Sequence, residues 1–273
     1  MKERTFWHGF IAIVLLNASI YIGCSSGFNV FSKSDDIALG QQIQTEIAAH
    51  PQEYPVFRDE SVRSYVQGIT NRILTSPVIE NKNFRYQVTI INDDKTVNAF
   101  TLPGGPIYVY TGLIKFVDNE ATLAGIIGHE MTHADHRHST EQMTKAYGVS
   151  ALSSIVLGNN PSTLAQVAAS IAGNLAMLRF SRQDERDADA NSFNALNSLP
   201  GRPWYPAAIR YFMIKTLSKT GKTSSLEKLF LTHPPSEERL AAIDAMAKSA
   251  GLPPPTEANL NSSNFMRYQA MVP

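Results

Sequence analysis

The chain has 273 residues, 43% of them hydrophobic, which is enough to bury a substantial core and sets the size at one large domain or two small ones. Its formal net charge is zero and it carries no basic block, RNA-binding signature or Gly-rich phosphate loop, so nucleic acid is not an expected partner. No period of roughly 20–50 residues repeats, which argues against a solenoid.

In chain order, the first feature is a leader. Lys2 and Arg4 precede the mostly apolar run "FIAIVLLNASIYIGC", which reads as an export signal. The run is near the lower length for a membrane span and contains Asn17 and Ser19. Cys24 is the only cysteine, so no intrachain disulfide forms. "IGC" followed by Ser25 and Ser26 resembles a bacterial lipobox, whose cysteine is lipidated and becomes the new N-terminus. Tyr21 departs from it, standing where Leu is usual. The resemblance implies attachment to a membrane through lipidated Cys24. Ser25 resembles outer-membrane sorting, which implies a periplasm-facing outer-membrane lipoprotein. An uncleaved anchor and a soluble exported protein are the alternatives. Residues 1–24 are therefore read as signal or lipoprotein anchor, 25–34 as a tether, 35–250 as the folded domain and 251–273 as an irregular tail.

"SDDIALGQQIQTEIAAH" predicts a helix with Ser34 or Asp35 as N-cap and apolar residues at 37, 39, 43 and 47. A second helix is predicted over 59–75, with Val62, Val66, Ile69 and Ile73 on one stripe. "FRYQVTII" (84–91) alternates as a strand, and "VNAFTLPGGPIYVYTGL" (97–113) reads as strand, turn, strand. Helices follow at 119–137, at 147–157 and 162–178 as a hairpin pair, and at 182–198, 204–219 and 236–249. The hairpin pair is apolar, but neither half reaches spanning length, so a buried or partner-facing pair is favoured over a membrane-active one.

The chemistry concentrates in "IIGHEMTHADHRH" (126–138). His129 and His133 are four apart and share a helix face, so two imidazoles can reach one ion. Glu130 is rotated off that line, which leaves its carboxylate free to act as a base; this is the mechanical content of H-E-x-x-H. A solvated helix face is the competing reading, and the apolar lead-in "LAGIIG" counts against it, because an unpaired polar group on a buried helix costs about 1–3 kcal/mol. A catalytic zinc needs a third protein ligand and an open position. His136 lies two turns beyond His129, and His138 is read on the same helix. The metzincin pattern is disfavoured, since it wants Gly at 136 and His at 139 where the chain has His136 and Ser139. "SRQDERDADANSF" (181–193) offers a carboxylate instead. Glu185 can ligate while Asp189, one turn on, accepts the outer N–H of a ligand histidine. Taken alone, that stretch also reads as a charged exposed face. Arg182 is a candidate to pair with Asp189 or Glu130, and Asn98 to bond substrate or strand backbone.

"HEMTHADHRH" and "SRQDERDAD" resemble H-E-x-x-H-x-x-x-R-H and S-R-x-x-E-x-x-A-D of the HtpX-like zinc metallopeptidases, which are gluzincins. "NAFTLPGGPIYVYTGL" upstream and "THPPSEERL" downstream are similar to that family in the same order, so the resemblance covers roughly 35–250. It implies an α+β, mainly helical, zincin-like metallopeptidase fold, with a small antiparallel sheet packed on the H-E-x-x-H helix. It implies one zinc ion on His129, His133 and Glu185, with Glu130 as catalytic base. It also implies that an edge strand carrying Gly105, Ile107 and Tyr108 lines the cleft, where an unfolded peptide could add in extended form; an interior hairpin strand is the alternative. His233 reads as a loop residue that could approach the metal, as an oxyanion donor or as a resting-state plug. The implied activity is a zinc endopeptidase acting on unfolded or misassembled envelope proteins. The alternative is a zinc-bearing chaperone or assembly factor for outer-membrane proteins, and a purely structural zinc is disfavoured because it prefers four ligands, usually with cysteine.

Overall fold

The computed structural model describes residues 29–148, 152, 161–219 and 224–273. The leader and the start of the tether lie outside the described residues, as does most of the helix expected at 147–157.

Helix α1 (Lys33–Ala49) is capped by Ser32 in a reciprocal box with Asp35, two residues before the earliest expected cap. It buries Leu39, Ile43 and Ile47. Helix α2 (Glu60–Leu74) starts at Asp59 and buries the stripe Val62, Val66, Ile69 and Ile73. Three short strands follow: β1 (Val88–Ile91), β2 (Ala99–Thr101) and β3 (Ile107–Tyr110).

The sheet order is β1-β3-β2, with β2 antiparallel and β1 parallel to β3. The sheet is thus mixed, where an antiparallel one was expected. The hairpin 97–113 forms as the local sequence dictates, but β3 folds back between β2 and β1, a non-local pairing that alternation cannot reveal. All four residues of β3 are buried, as befits a central strand. Its two faces feed two cores. Ile107 and Val109 join the core around the central helix, whereas Tyr108 and Tyr110 face α1.

Helix α3 (Thr111–Phe116) leads to α4 (Glu120–Asp135), capped by Asn119 and buried at every position. The helix expected through 137 stops at Asp135. Arg137 takes φ 62°, the left-handed region, and α5 (His138–Tyr147) departs in a new direction, so His136 and His138 do not share a helix. Helix α6 (Pro161–Gly173) packs on α1 through Ala168, Ile171 and Ala172 and ends in a 3-10 turn at Leu175–Leu178. Among the described residues no helix is long and apolar enough to cross a membrane.

Helices α7 (Arg182–Ser198) and α8 (Ile209–Leu217) both pack against α4; α8 starts later than expected, after a turn at 206–208. A 3-10 turn (Ser224–Leu226), α9 (Glu227–Thr232) and α10 (Glu237–Ser249, capped by Ser236) complete the domain. The tail is not irregular. Beyond the three prolines it forms α11 (Glu257–Leu260) and α12 (Ser262–Gln269), with Phe265 fully buried. Tyr268 stacks on Tyr65 of α2, and Asn261 and Asn264 donate to the buried Glu120 carboxylate. The fold is α+β, mainly helical and zincin-like, with its sheet against α4.

Candidate metal centre

His129 and His133 project from one face of α4 with their Nε2 atoms 3.0 Å apart. Glu185 arrives from the first turn of α7, its oxygens 3.6 Å from His129 Nε2 and 3.5 Å from His133 Nε2. Ser181 caps α7 in a box with Asp184, and this fixes where Glu185 enters. Two helices must approach closely for this convergence. A Cβ on Gly128 would stand 2.7 Å from Ser192 Oγ of α7, so any side chain there forces the buried Ser192 to shift. Gly128→Val is expected to destabilise the chain by about 1–3 kcal/mol and to lower its retained metal. A urea midpoint and a bound-metal assay check both, and an unchanged midpoint would remove the close-approach argument.

An ion about 2.0–2.1 Å from each donor of a tetrahedral site spaces those donors roughly 3.3 Å apart. The two Nε2 atoms lie 3.0 Å apart, and the Glu185 carboxylate reaches them at 3.6 Å through Oε2 and 3.5 Å through Oε1, so the residues fit a metal. His233 comes from the loop after α9, with Nδ1 2.9 Å from Glu185 Oε1 and Nε2 3.5 Å from Glu130 Oε1. One ligand atom from each of His129, His133, Glu185 and His233 lies within 4.8 Å of the others, and all four residues are buried.

Burial works against a charged His129, but the hydrogen bonds to Asp189 and Glu185 outweigh it and hold that ring up at about 10. Burial drives His133 well below the usual histidine range. It pushes Glu130 up, against the nearby charge of His233. Glu185 resists its own burial, because the charge of His233 and hydrogen bonds from three histidines hold it well below the ordinary carboxylate range.

Asp189 stands 2.9 Å from His129 Nδ1, one turn beyond Glu185. The structure thus brings together His129, Glu130, His133, Glu185, Asp189 and His233. It does not bring Arg182, which is exposed at the start of α7. The guanidinium partner is Arg239 of α10, whose Nε and Nη2 donate to Asp189 at 2.7 and 2.8 Å and whose Nη1 stands 2.5 Å from Glu185 Oε2. Gly105 sits at φ 110° in the β2–β3 turn, where a Cβ would strike the Arg85 backbone, so its role is conformational. Ile107 spends its amide on Gln87 of the β1 side, and Tyr108 stacks on Phe100 on the face turned to α1. Neither lines the cleft, because β3 is not an edge. Asn98 accepts from the Tyr110 amide through its backbone carbonyl, while its buried side-chain Oδ1 meets no hydrogen-bond partner among the described residues, which decides neither alternative. The outer strands are β1 and β2, and Ala99 of β2 does line the cleft beside His129, Glu130 and His233.

Residues 60–247 match the profile of Peptidase family M48. The chain belongs to peptidase family M48. It is 24% identical over 92% of its length to the beta-barrel assembly-enhancing protease of Yersinia pestis, covering 51% of that protein. It is 28% identical over 66% of its length to the mitochondrial metalloendopeptidase OMA1 of Schizosaccharomyces pombe, covering 51% of it. With the protease HtpX homolog of Acidiphilium cryptum the identity is 31%, over 59% of this chain and 68% of the relative. The chain spans about half the length of the first two of these curated relatives.

M48 is a family of metalloproteases, so a metal cofactor comes with membership, and the buried cluster on α4 and α7 is where these side chains can hold one. Sequence reasoning missed three contributors. Arg239 was visible only as a residue of the helix after Ser236. Phe180 stacks on the His133 ring at 3.6 Å between centroids, and His138 Nδ1 lies 2.9 Å from His133 Nδ1. The Arg137–His138 pair of the M48-like motif was the available signal for His138.

Proposed function

We propose that this chain is a zinc-dependent endopeptidase of the cell envelope that cleaves unfolded or misassembled polypeptides, with His129, His133 and Glu185 as ligands and Glu130 as general base. The observation that carries this reading is the convergence of His129, His133 and Glu185, with one ligand atom of each within 4.8 Å of the others, beside the buried Glu130 carboxylate. Two imidazoles and one carboxylate are a donor set of catalytic zinc, which leaves its fourth position to water or substrate. When bound, zinc supplies Lewis acidity, lowering the pKa of water in its coordination sphere and polarising the scissile carbonyl. Glu130 takes the proton of the attacking water and returns it to the leaving amine. Asp189 holds His129 through Nδ1 and so keeps its Nε2 turned toward the ion.

The expected edge-strand role passes from β3 to β2. An extended peptide would add to the unpaired side of β2 through main-chain bonds, which suits unfolded substrates because it asks little of their side chains. The cleft wall of Ile126, Ile209, Met213 and Leu229 offers one apolar subsite. The names of the assembly-enhancing relatives support an envelope setting and outer-membrane barrel proteins as substrates, and the lipobox-like leader supports attachment at the outer membrane. Turnover of a casein-type substrate, lost with chelator and restored by zinc, tests the reading. Metal-independent binding without turnover would favour the assembly-factor alternative.

His233 occupies the corner between Glu185 and Glu130, so we read it as a plug on the resting site. His233→Ala is expected to raise turnover. A fall in turnover at unchanged zinc content would instead make it an oxyanion donor, and no change in either quantity would leave it without a role.

A further inference from the structure

Behind His133 lies a second group of side chains able to ligate, none of which the peptidase mechanism uses as a metal ligand. We propose that His136, His138 and Asp187 form a second metal site, suited to a late first-row transition ion such as Zn2+ or Cu2+. One ligand atom of each lies within 4.8 Å of the others. Asp187 Oδ2 contacts His136 Nδ1 and stands 3.3 Å from His138 Nε2. Two imidazoles and one carboxylate suit a transition ion and are poorly matched to Ca2+ or Mg2+, which take oxygen shells.

The convergence is built by the backbone. Residues two apart on a continuous helix point to opposite sides. Here the left-handed Arg137 separates α4 from α5, and the rings of His136 and His138 come to 5.7 Å between centroids. The turn is anchored by the Arg137 guanidinium, which bonds the buried Asp36 and the carbonyl of Phe31. The same α7 that delivers Glu185 to the first site presents Asp187, two residues on, to this one. The His138 side chain is 6% exposed, but those of His136 and Asp187 are 29% and 44% exposed, so an ion and its completing waters have access.

The two sites touch through His138 Nδ1 and His133 Nδ1, 2.9 Å apart. Two neutral rings that both ligate through Nε2 would each carry their proton on Nδ1, and two N–H groups cannot face each other at that distance. Filling one site therefore opposes filling the other, and linkage makes the opposition reciprocal. This coupling rests on the proposed zinc ligation by His133; the existence of the second site does not.

The full chain, stripped of metal by dialysis against chelator, is titrated with Zn2+ by calorimetry and with Co2+ by visible absorption. The wild type is expected to take two equivalents, and His136→Ala, Asp187→Asn and His129→Ala one each. His136 and Asp187 are partly exposed, so their variants keep the core. One wild-type equivalent that His136→Ala and Asp187→Asn both retain overturns the second site, as does a pair of equivalents that survives both substitutions together. One wild-type equivalent lost in His136→Ala but kept in His129→Ala would uphold this site and sink the zinc peptidase reading instead. In His129→Ala the remaining ion is expected to bind more tightly than the second ion binds wild type, and equal affinity would overturn the coupling.

Discussion

Glu130→Gln is expected to abolish measurable peptide cleavage while leaving the bound metal in place. The expectation follows from where α4 places this side chain. Glu130 is 2% exposed and sits beside the donors without joining them, since the ligating face is set by His129 and His133 one turn apart. Glutamine has nearly the same shape, so the buried helix keeps its packing and the three donors keep their spacing. What is lost is a group that can accept a proton, a carboxyl whose burial pushes it above the ordinary carboxylate range. Losing general base catalysis costs typically about 10²–10⁴-fold in rate. The measurement pairs kcat on an unfolded protein substrate with zinc content from elemental analysis. Turnover within a few-fold of wild type would end the proposed mechanism, and loss of zinc would show that Glu130 holds the ion rather than the proton.

The helices that carry the site were legible because they carry strong local signals. A period of four sets His129 against His133 and Glu185 against Asp189. Membership of M48 accords with the resemblance that the same motifs carried. Contacts that depend on the path of the chain were not legible. Alternation identified the strands but could not say that β3 would slot between β1 and β2, so Ile107 and Tyr108 were credited with an edge they do not have. The helix pattern ran on through His136 because nothing in "DHRH" marks Arg137 as left-handed; only its partners Asp36 and Phe31, about a hundred positions away, hold it there. The prolines at 253–255 pointed to an irregular tail, yet Thr256 restarts a helix whose continuation buries Phe265.

Arg239 poses the sharpest contrast between local and spatial reasoning, because Arg182 lies closer in sequence to the carboxylates and is not the one that meets them. Arg239 is 7% exposed and serves two acids at once, with a bidentate grip on Asp189 and a single contact to Glu185. Truncating it takes the guanidinium from two buried carboxylates, and breaking such a buried pair costs about 3–5 kcal/mol. Arg239→Ala in the metal-free chain is therefore expected to lower the unfolding free energy by that order, whereas Arg182→Ala stays within about 0.5 kcal/mol, as exposed positions do. Arg239→Lys recovers the charge but not the planar fork that fits Asp189, so it rescues only in part. The loss also reaches the metal: an unanchored Asp189 no longer orients His129, and such outer contacts are worth about 10–100-fold in metal affinity. Urea unfolding with chelator present, followed by zinc titration of the same variants, separates the two effects. If Arg182→Ala proved the costlier substitution, the pairing that links α10 to the metal centre would be wrong. The orientation of His129 would then need another source.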